Sequence, residues 1–245
     1  MNTTSASSTE SIMKCCGQFL AKLPLGDAAL QDLSLVIQQA DSDILKLMYE
    51  LSTYAGLTHD EACSRVLPIL LQHCAIHLTE DLANGNCDYL PQAISQGSTA
   101  LFTLQQLFNL SLQKCGFRNK ARLKYYKLLA LVGAARHAEL KTPKWDLDNA
   151  IFAAKGLNGY QFEAYFSIAS SNTESHDALQ LLGHDFGIIN HVANDIMNDN
   201  VRYTDLSEQE KAALRAWTLA HAKNIAEANI PLLTDRLPTL LHHFR

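Results

Sequence analysis

Apolar residues recur along most of the chain at i, i+3, i+4 and i+7, the spacing that places them on one face of an α-helix. The strict alternation of apolar and polar residues that is typical of strands is rare. The pattern predicts helices over residues 11–22, 27–39, 41–55, 59–84, 90–114, 119–140, 146–170, 174–200 and 207–243. Residues 1–10, rich in Ser and Thr, are predicted to form a disordered tail. We therefore predict an all-α fold, with one domain over residues 11–245 that forms a helical bundle around a central cavity.

Capping residues support several of these helix starts. Thr58 or Asp60 can cap the fourth helix, and Asp146 or Asp148 the seventh, because their side chains accept hydrogen bonds from the first free backbone N–H groups. Ser207 followed by Glu210 has the spacing of a capping box and predicts the start of the last helix.

Charge and composition exclude some functional classes. The net charge of −5 disfavours a nucleic-acid binder, which should present a basic face. No apolar run approaches the roughly 20 residues that a membrane-spanning helix needs, and the polar N-terminus lacks the pattern of a secretory signal. The six cysteines do not have metal-binding spacing and are expected to be reduced thiols. We expect a cytoplasmic protein.

A helix of mostly apolar composition carries a polar face over "LLQHCAIHLTEDLAN", residues 70–84. At 3.6 residues per turn, this face comprises His73, His77, Glu80, Asp81 and Asn84. Unpaired buried charges are costly, so such a face is expected to meet water, a partner or a ligand. For this segment alone, ordinary exposure to solvent is as good an explanation as a ligand site.

A second helix repeats this combination over "LLGHDFGIINHVANDIMNDN", residues 181–200. Its polar face comprises His184, His191, Asn194, Asp195, Asn198 and Asp199, with Arg202 just beyond. Gly183 and Gly187 lie four residues apart and allow another helix or a ligand to approach closely. Two helices that each end in acids and amides predict a cavity with oxygen ligands on opposite walls. Such ligands suit hard cations, above all Mg²⁺.

The first of these segments resembles a motif of the trans-isoprenyl diphosphate synthase (polyprenyl synthetase) family, which has the class I isoprenoid synthase fold. In that family a His precedes an aspartate-rich DDxxD motif by six residues. Here His73 precedes "EDLAN" at that interval, so that Glu80, Asp81 and Asn84 stand at the three acid positions. The resemblance spans roughly residues 40–200.

The second segment resembles the family's other acid motif, which reads roughly G-x-x-x-G-x-x-F-Q-x-x-D-D-x-x-D. In "GHDFGIINHVANDIMN", His191 stands at the Gln, and Asn194, Asp195 and Asn198 stand at the acid positions. Between the two motifs, "AIFAAKGLNGYQFEA" resembles the helix whose Lys-Thr pair contacts diphosphate, with Lys155 at the lysine.

Two substrate-binding motifs of the family are missing. The window "QQADSDILKLMYELSTY" stands where GGKxxRP binds the second substrate, and "GNCDYLPQ" stands where RRG usually follows the first acid motif. The basic cluster after the second acid motif is reduced to Arg202. Without paired Arg and Lys contacts a diphosphate loses its strongest hydrogen bonds, so we do not expect chain elongation.

The resemblance therefore implies a Mg²⁺-dependent lyase or transferase of isoprenoid biosynthesis that ionises an allylic prenyl diphosphate and releases diphosphate, as a terpene synthase does. It implies catalytic roles for Asp81, Asp195 and Lys155. The metal ligands it implies are Glu80, Asp81, Asn84, Asn194, Asp195, Asn198 and Asp199. The substrate-binding residues it implies are His73, His77, Lys155, Phe152, Tyr160, His191 and Arg202.

Two other functions are consistent with the same residues. Degraded acid motifs and a lost second-substrate site are what a non-catalytic or regulatory subunit of a heteromeric prenyl diphosphate synthase would show. The second is a His/carboxylate metalloenzyme in a helical bundle, in which a transition metal is held by His73, His77 and Glu80 on one side and by His184, His191 and Asp195 on the other. The family resemblance also implies a homodimer, or a heteromer with a full-length prenyl synthase.

Overall fold

The computed structural model describes residues 4–116, 119–171, 173–174 and 176–244, and all regular secondary structure within these residues is helical. The all-α prediction is confirmed. The chain divides into two compact units, Met1–Phe117 and Arg118–Arg245. The prediction of one bundle around a central cavity concerns both units together and stays a prediction. Among the described helices, none combines the length and the apolar character that crossing a bilayer requires.

The first unit is built around one long helix. It contains α1 (Thr4–Leu20), α2 (Asp27–Ile37), α3 (Ser42–Tyr54), α4 (His59–Asn84) and α5 (Ala93–Lys114). Helix α4 packs against the other four and supplies several completely buried side chains, among them Val66, Ile69, Leu70, Leu71 and Leu78. The apolar composition of residues 66–78 thus reflects contacts on several sides of α4.

Both ends of α4 follow from local sequence. Thr58 and Glu61 form a capping box, in which the backbone N–H of Thr58 donates to Oε2 of Glu61 at 2.9 Å and the Thr58 hydroxyl accepts from the Glu61 N–H at 3.4 Å. The helix ends at Gly85, whose φ of 73° lies in the left-handed region that favours glycine. The cap prediction is confirmed at Thr58.

Helix α1 begins earlier than the sequence predicts. The disordered tail was expected over residues 1–10, and residues 1–3 lie outside the described part of the chain. From Thr4 onward the chain is helical, and Ser8 and Ile12, four residues apart, are both buried. The buried face of α1 thus extends one turn into the Ser- and Thr-rich segment, which composition alone does not reveal.

The second unit contains eight α-helices, a π-helical segment and a C-terminal 3₁₀ turn within its described residues. They are α6 (Asn119–Lys141), α7 (Leu147–Ala154), the π segment (Lys155–Gly159), α8 (Tyr160–Ala169), α9 (His176–Met197), α10 (Val201–Thr204), α11 (Glu208–Ala228), α12 (Pro231–Thr234), α13 (Leu237–Leu241) and the turn His242–Phe244. Helix α9 is central, because α8, the π segment and α11 all pack against it.

Glycines allow α9 to approach the π segment and α8 closely. A Cβ added at Gly187 would overlap the carbonyl oxygen of Asn158, and one at Gly183 would lie 2.7 Å from Cβ of Phe166. This close approach is the one predicted from the spacing of the two glycines. The helix predicted over residues 146–170 is formed without a break by α7, the π segment and α8. Its π-helical part includes Asn158, the residue that Gly187 approaches. Single π turns inside α-helices are frequent at functional sites.

The long C-terminal helix predicted over residues 207–243 is interrupted. The capping box of Ser207 and Glu210 is confirmed, but α11 ends at Asn229, whose φ is 51°. Pro231 then occupies the first turn of α12, where its missing N–H costs no hydrogen bond. The sequence Asn229–Ile230–Pro231 therefore ends the helix. The apolar pattern continues across these residues and hides this helix end in the sequence.

The glycine contacts predict opposite effects for two Gly→Ala substitutions. Gly187→Ala should destabilise the protein by about 1–3 kcal/mol, because the new methyl group must push α9 away from the backbone of Asn158. Gly133→Ala on α6 should stabilise it by about 0.5–1 kcal/mol, because nothing lies near the added Cβ and alanine favours the helix. Urea denaturation followed by tryptophan fluorescence measures both, since both tryptophans lie in the second unit. Equal effects of the two substitutions would contradict the packing.

Candidate functional site

The first acid cluster consists of Glu80, Asp81 and Asn84 in the last turns of α4. Oδ2 of Asp81 accepts a hydrogen bond of 2.9 Å from the hydroxyl of Tyr89. Burial raises the pKa of Tyr89, and the Asp81 carboxylate raises it further, so the phenol stays protonated and donates. Glu80 and Asp81 are half-buried and Asn84 is exposed, so the cluster is accessible from solvent.

The two histidines that precede this cluster lie in different environments. His73 is 1% exposed, and burial lowers its pKa to about 3, with a smaller contribution from His77. His77 is exposed, and its Nδ1 lies 3.9 Å from Oε2 of Glu80. Their ring centroids are 4.2 Å apart in an edge-to-face arrangement. His73 is thus a neutral core residue, whereas His77 lies on the surface with the acids.

The second unit contains a buried charge network that joins three helices. We call Glu139, Asp195 and Arg202 the arginine network. Nε of Arg202 donates to both carboxylate oxygens of Asp195, at 3.1 and 2.9 Å, and Nη2 donates to Oδ1 at 2.6 Å. Nη1 of Arg202 donates to Oε1 of Glu139. The side chain of Asp195 is 8% exposed and that of Arg202 is 17% exposed.

Local structure brings these three side chains together. Asp195 lies in the last turn of α9, and the side chain of Asn200 caps α10 by accepting from the N–H of Arg202 at 3.1 Å. Glu139 lies near the end of α6 and also pairs with Arg136, three residues earlier on the same helix. Burial alone would lower the pKa of Arg202, but the hydrogen bonds and charges of Asp195 and Glu139 outweigh it and raise that pKa.

His191 lies one turn before Asp195 and is also buried. Its Nε2 lies 3.4 Å from Oδ2 of Asp195, but the geometry is not that of a hydrogen bond. Burial lowers the pKa of His191 to about 4, although Asp195 opposes this shift. The histidine is therefore neutral near pH 7, and the carboxylate of Asp195 is compensated by Arg202.

The other predicted ligands of the second motif point elsewhere. Asn194, Asn198 and Asp199 are exposed, whereas Asp195 between them is buried. Asp199 ends the segment with a φ of 48°, in the left-handed region. The structure thus separates the buried carboxylate, which bonds Arg202, from the two amides at the neighbouring motif positions.

Three residues of the second unit that are predicted to contact the substrate have different surroundings. Lys155 is exposed at the start of the π segment, and its Nζ lies 5.5 Å from the centroid of the Trp217 ring. Phe152 and Glu139 line a pocket of about 250 Å³ between α6 and α7. Tyr160 lines a different pocket with His184. Phe152 and Tyr160 therefore line separate pockets.

These arrangements test whether Mg²⁺ fits the residues. Both oxygens of Asp195 accept hydrogen bonds from Arg202, so a metal ion there would have to displace a buried guanidinium. The first acid cluster offers two carboxylates, one of them bonded to Tyr89. In the part of the chain that the structure describes, no three His, Cys, Asp or Glu side chains are grouped as metal ligands. The residues around Asp195 do not fit a divalent cation as they are arranged.

Two contacts in these sites, Glu139 with Arg202 and Tyr89 with Asp81, were not predicted. Glu139 is the only acidic residue in α6, which is otherwise basic. A single acid in a basic helix was the one feature of the sequence that could have indicated a buried cationic partner. Its bond to Arg202 crosses 63 positions of sequence, so no local pattern contains it. Tyr89 lies in the loop after α4, where nothing in the sequence indicates that it turns back to Asp81.

Removing the charge of Arg202 should strongly destabilise the second unit. Arg202→Met leaves Asp195 without its cation and Glu139 with Arg136 alone, and breaking a buried pair costs about 3–5 kcal/mol. Lys223→Met is the control, because Lys223 pairs with Glu227 on the surface and should contribute at most about 1 kcal/mol. Urea denaturation at pH 7 with tryptophan fluorescence compares them, and similar losses would show that the arginine network is not stabilising.

The buried His191 predicts a loss of stability in mild acid. Its pKa is about 4 in the folded protein and about 6.5 when unfolded, so the unfolded chain binds the extra proton first as the pH falls. Between pH 7 and pH 5 this should cost about 2 kcal/mol. His191→Gln should remove that part of the pH dependence, whereas His242→Gln, in the C-terminal 3₁₀ turn, should leave it unchanged. If the free energy of unfolding of His191→Gln falls between pH 7 and pH 5 as steeply as that of the wild type, His191 is not the group responsible.

Comparison of the chain with protein-family models and with curated proteins identified no family. The chain matches no protein-family model. No curated protein is significantly similar to it in sequence. The resemblance to the prenyl synthases therefore depends on the motif residues themselves.

Proposed function

We propose that this chain is a non-catalytic protein with the isoprenoid synthase fold that acts as a structural or regulatory subunit of a prenyl diphosphate synthase in the cytoplasm. The observation that supports this most directly is the bond between Arg202 and Asp195. The resemblance implies that the acid at this position holds Mg²⁺. In this chain a guanidinium supplies the positive charge at the same carboxylate.

The energetics of the arginine network favour a permanent arrangement. Arg202 bonds Asp195 and Glu139 at once, and all three side chains are largely buried. Releasing the guanidinium to admit a metal ion would leave the buried carboxylate of Asp195 uncompensated until the ion arrived, and Glu139 would keep only Arg136. A protein that used Asp195 in every catalytic cycle would have to overcome this cost each time.

The remaining motif positions support the same proposal. Asn84, Asn194 and Asn198 place neutral amides at three of the six acid positions. An amide oxygen contributes no negative charge to a divalent cation, so the expected affinity for Mg²⁺ is lower. The missing GGKxxRP and RRG segments remove the second-substrate contacts as well.

The second candidate is Mg²⁺-dependent ionisation of an allylic prenyl diphosphate, as in a terpene synthase. The accessible first acid cluster favours it, because Glu80 and Asp81 reach solvent at the end of α4. Lys155 is also exposed and available to an anion. For this candidate, the first acid cluster must bind Mg²⁺ without a contribution from Asp195.

Product analysis distinguishes the two candidates. The purified chain is incubated with geranyl, farnesyl or geranylgeranyl diphosphate and Mg²⁺, and released diphosphate and extracted hydrocarbons are measured. We expect no release above that of the Asp81→Asn variant, because Asp195 is not available as a ligand. Calorimetric titration with pyrophosphate should likewise show no heat that depends on Mg²⁺. Turnover that Asp81→Asn abolishes would overturn the proposal and establish the second candidate.

The subunit role has its own test. The chain is co-expressed with a full-length prenyl diphosphate synthase encoded in the same genome, and light scattering measures the mass of the purified species. We expect a complex whose product chain length differs from that of the synthase alone. A homodimer of this chain, with no effect on any such synthase, would contradict the regulatory role.

A further inference from the structure

Helix α6 is apolar on two opposite sides. Its inner side packs against α8 and the π segment and is buried at Tyr125, Leu128, Val132 and Ala135. Its outer side is exposed, yet it carries Leu123 and Leu140, which are 58% and 73% exposed. A helix at a protein surface usually has one apolar stripe and a polar side that faces water. A second apolar stripe therefore indicates a second packing surface.

The outer side has the spacing of a helix–helix seam. Exposed residues recur there at alternating intervals of three and four positions, and we call them the α6 seam: Leu123, Tyr126, Ala130, Gly133, His137 and Leu140. This spacing keeps one line of side chains facing a partner helix over about 25 Å. The small residues Ala130 and Gly133 lie in the middle of the seam. An added Cβ at Gly133 would meet nothing within 4 Å, so packing within the described part of the protein does not require a glycine there.

The charged residues that flank the α6 seam are all basic. In paired helices, the positions on either side of the seam select the partner through their charges. In α6 these positions hold Arg122, Lys127, Leu129, Ala134, Arg136 and Lys141. Among them, Lys127 and Lys141 are exposed, and Arg136 also pairs within α6. The whole chain has a net charge of −5, so this basic surface differs from the charge of the protein as a whole.

A second copy of α6 is a poor match for this seam. In parallel and in antiparallel pairs alike, two copies would place basic flanking positions opposite basic ones, and like charges there disfavour pairing. A lipid surface is also a poor match, because the small side chains in the middle of the seam bury little hydrocarbon. A helix with acidic flanking positions has the complementary charge, and it can approach α6 closely along Ala130 and Gly133.

We propose that the α6 seam docks an amphipathic helix of a partner protein, apolar on the side that faces the seam and acidic at the flanking positions. Leu123 and Leu140 pack against apolar side chains of that helix, and Lys127 and Lys141 pair with its carboxylates. This inference goes beyond the proposed function, because it concerns the chemistry of a partner surface and does not require the partner to be a prenyl diphosphate synthase.

A designed peptide tests the proposal on the full chain. It has three heptads, with leucine and alanine at the positions that face the seam and glutamate at the flanking positions, and a matched peptide has lysine in place of glutamate. Fluorescence anisotropy of the labelled peptides at pH 7 measures both Kd values. We expect saturable binding of the acidic peptide and a Kd at least about tenfold higher for the basic one, because each flanking pair changes from attraction to repulsion. No saturable binding of the acidic peptide, or equal binding of both peptides, would overturn the proposal.

Two leucines of α6 provide a matched pair of variants. Leu123 and Leu131 are 58% and 45% exposed, but only Leu123 belongs to the seam. Leu123→Glu should raise the Kd of the acidic peptide at least about tenfold, because it removes an apolar contact and adds a like charge. Leu131→Glu adds the same charge outside the seam and should raise that Kd less than about threefold. Circular dichroism verifies that both variants are folded, and equal effects on the Kd would show that the peptide does not bind along the seam.

Reversing the flanking charges tests the choice of an acidic partner. Lys127→Glu combined with Lys141→Glu changes two exposed lysines and should bring the Kd values of the two peptides within about threefold of each other. An unchanged preference for the acidic peptide would contradict the charge complementarity.

Two further measurements address the other occupants. Vesicles of phosphatidylcholine and phosphatidylserine should bind the wild type and Leu123→Glu equally weakly, and binding that Leu123→Glu abolishes would assign the seam to a lipid surface. Light scattering should give the same mass for the wild type and Leu123→Glu. Dissociation of a dimer in the variant would assign the seam to a second copy of the chain.

Discussion

The guanidinium of Arg202 lies between two carboxylates from different helices, and the character of the second unit's site depends on it. Asp195 at the end of α9 and Glu139 at the end of α6 are both largely buried, and each would be costly without a cation. Because the cation is a side chain of the protein, the charge is balanced without any ligand. Helices α6, α9 and α10 are thereby tied together at the position where the resemblance implies a metal site.

Close packing of backbone against backbone positions that network. Gly187 lies against the carbonyl of Asn158, so α9 meets the π segment at a distance that no side chain would permit. The same helix carries His184 into the pocket between α8, α9 and α11 and Asp195 into the arginine network, three turns apart. One helix therefore contributes side chains to both the pocket and the arginine network.

The first acid cluster has a different environment from Asp195. Asp81 is half-buried, and the hydroxyl of Tyr89 is the donor at its carboxylate. A hydrogen bond from a neutral phenol is more easily exchanged than a bidentate bond from a guanidinium. The two motifs that look alike in sequence thus differ in how readily a ligand could replace their present partners.

The sequence by itself determined most of the helices, because the 3.6-residue period and the caps at Thr58, Asp146 and Ser207 are local properties. It also determined which residues form the polar faces of α4 and α9. Only the tertiary structure decided what those side chains contact. Asp195 bonds an arginine, His73 is in the core, and Phe152 and Tyr160 line separate pockets. The reason is physical. Helical spacing specifies the direction in which a side chain points from the helix axis. The residue that it contacts in that direction can be as distant in sequence as Glu139 is from Arg202.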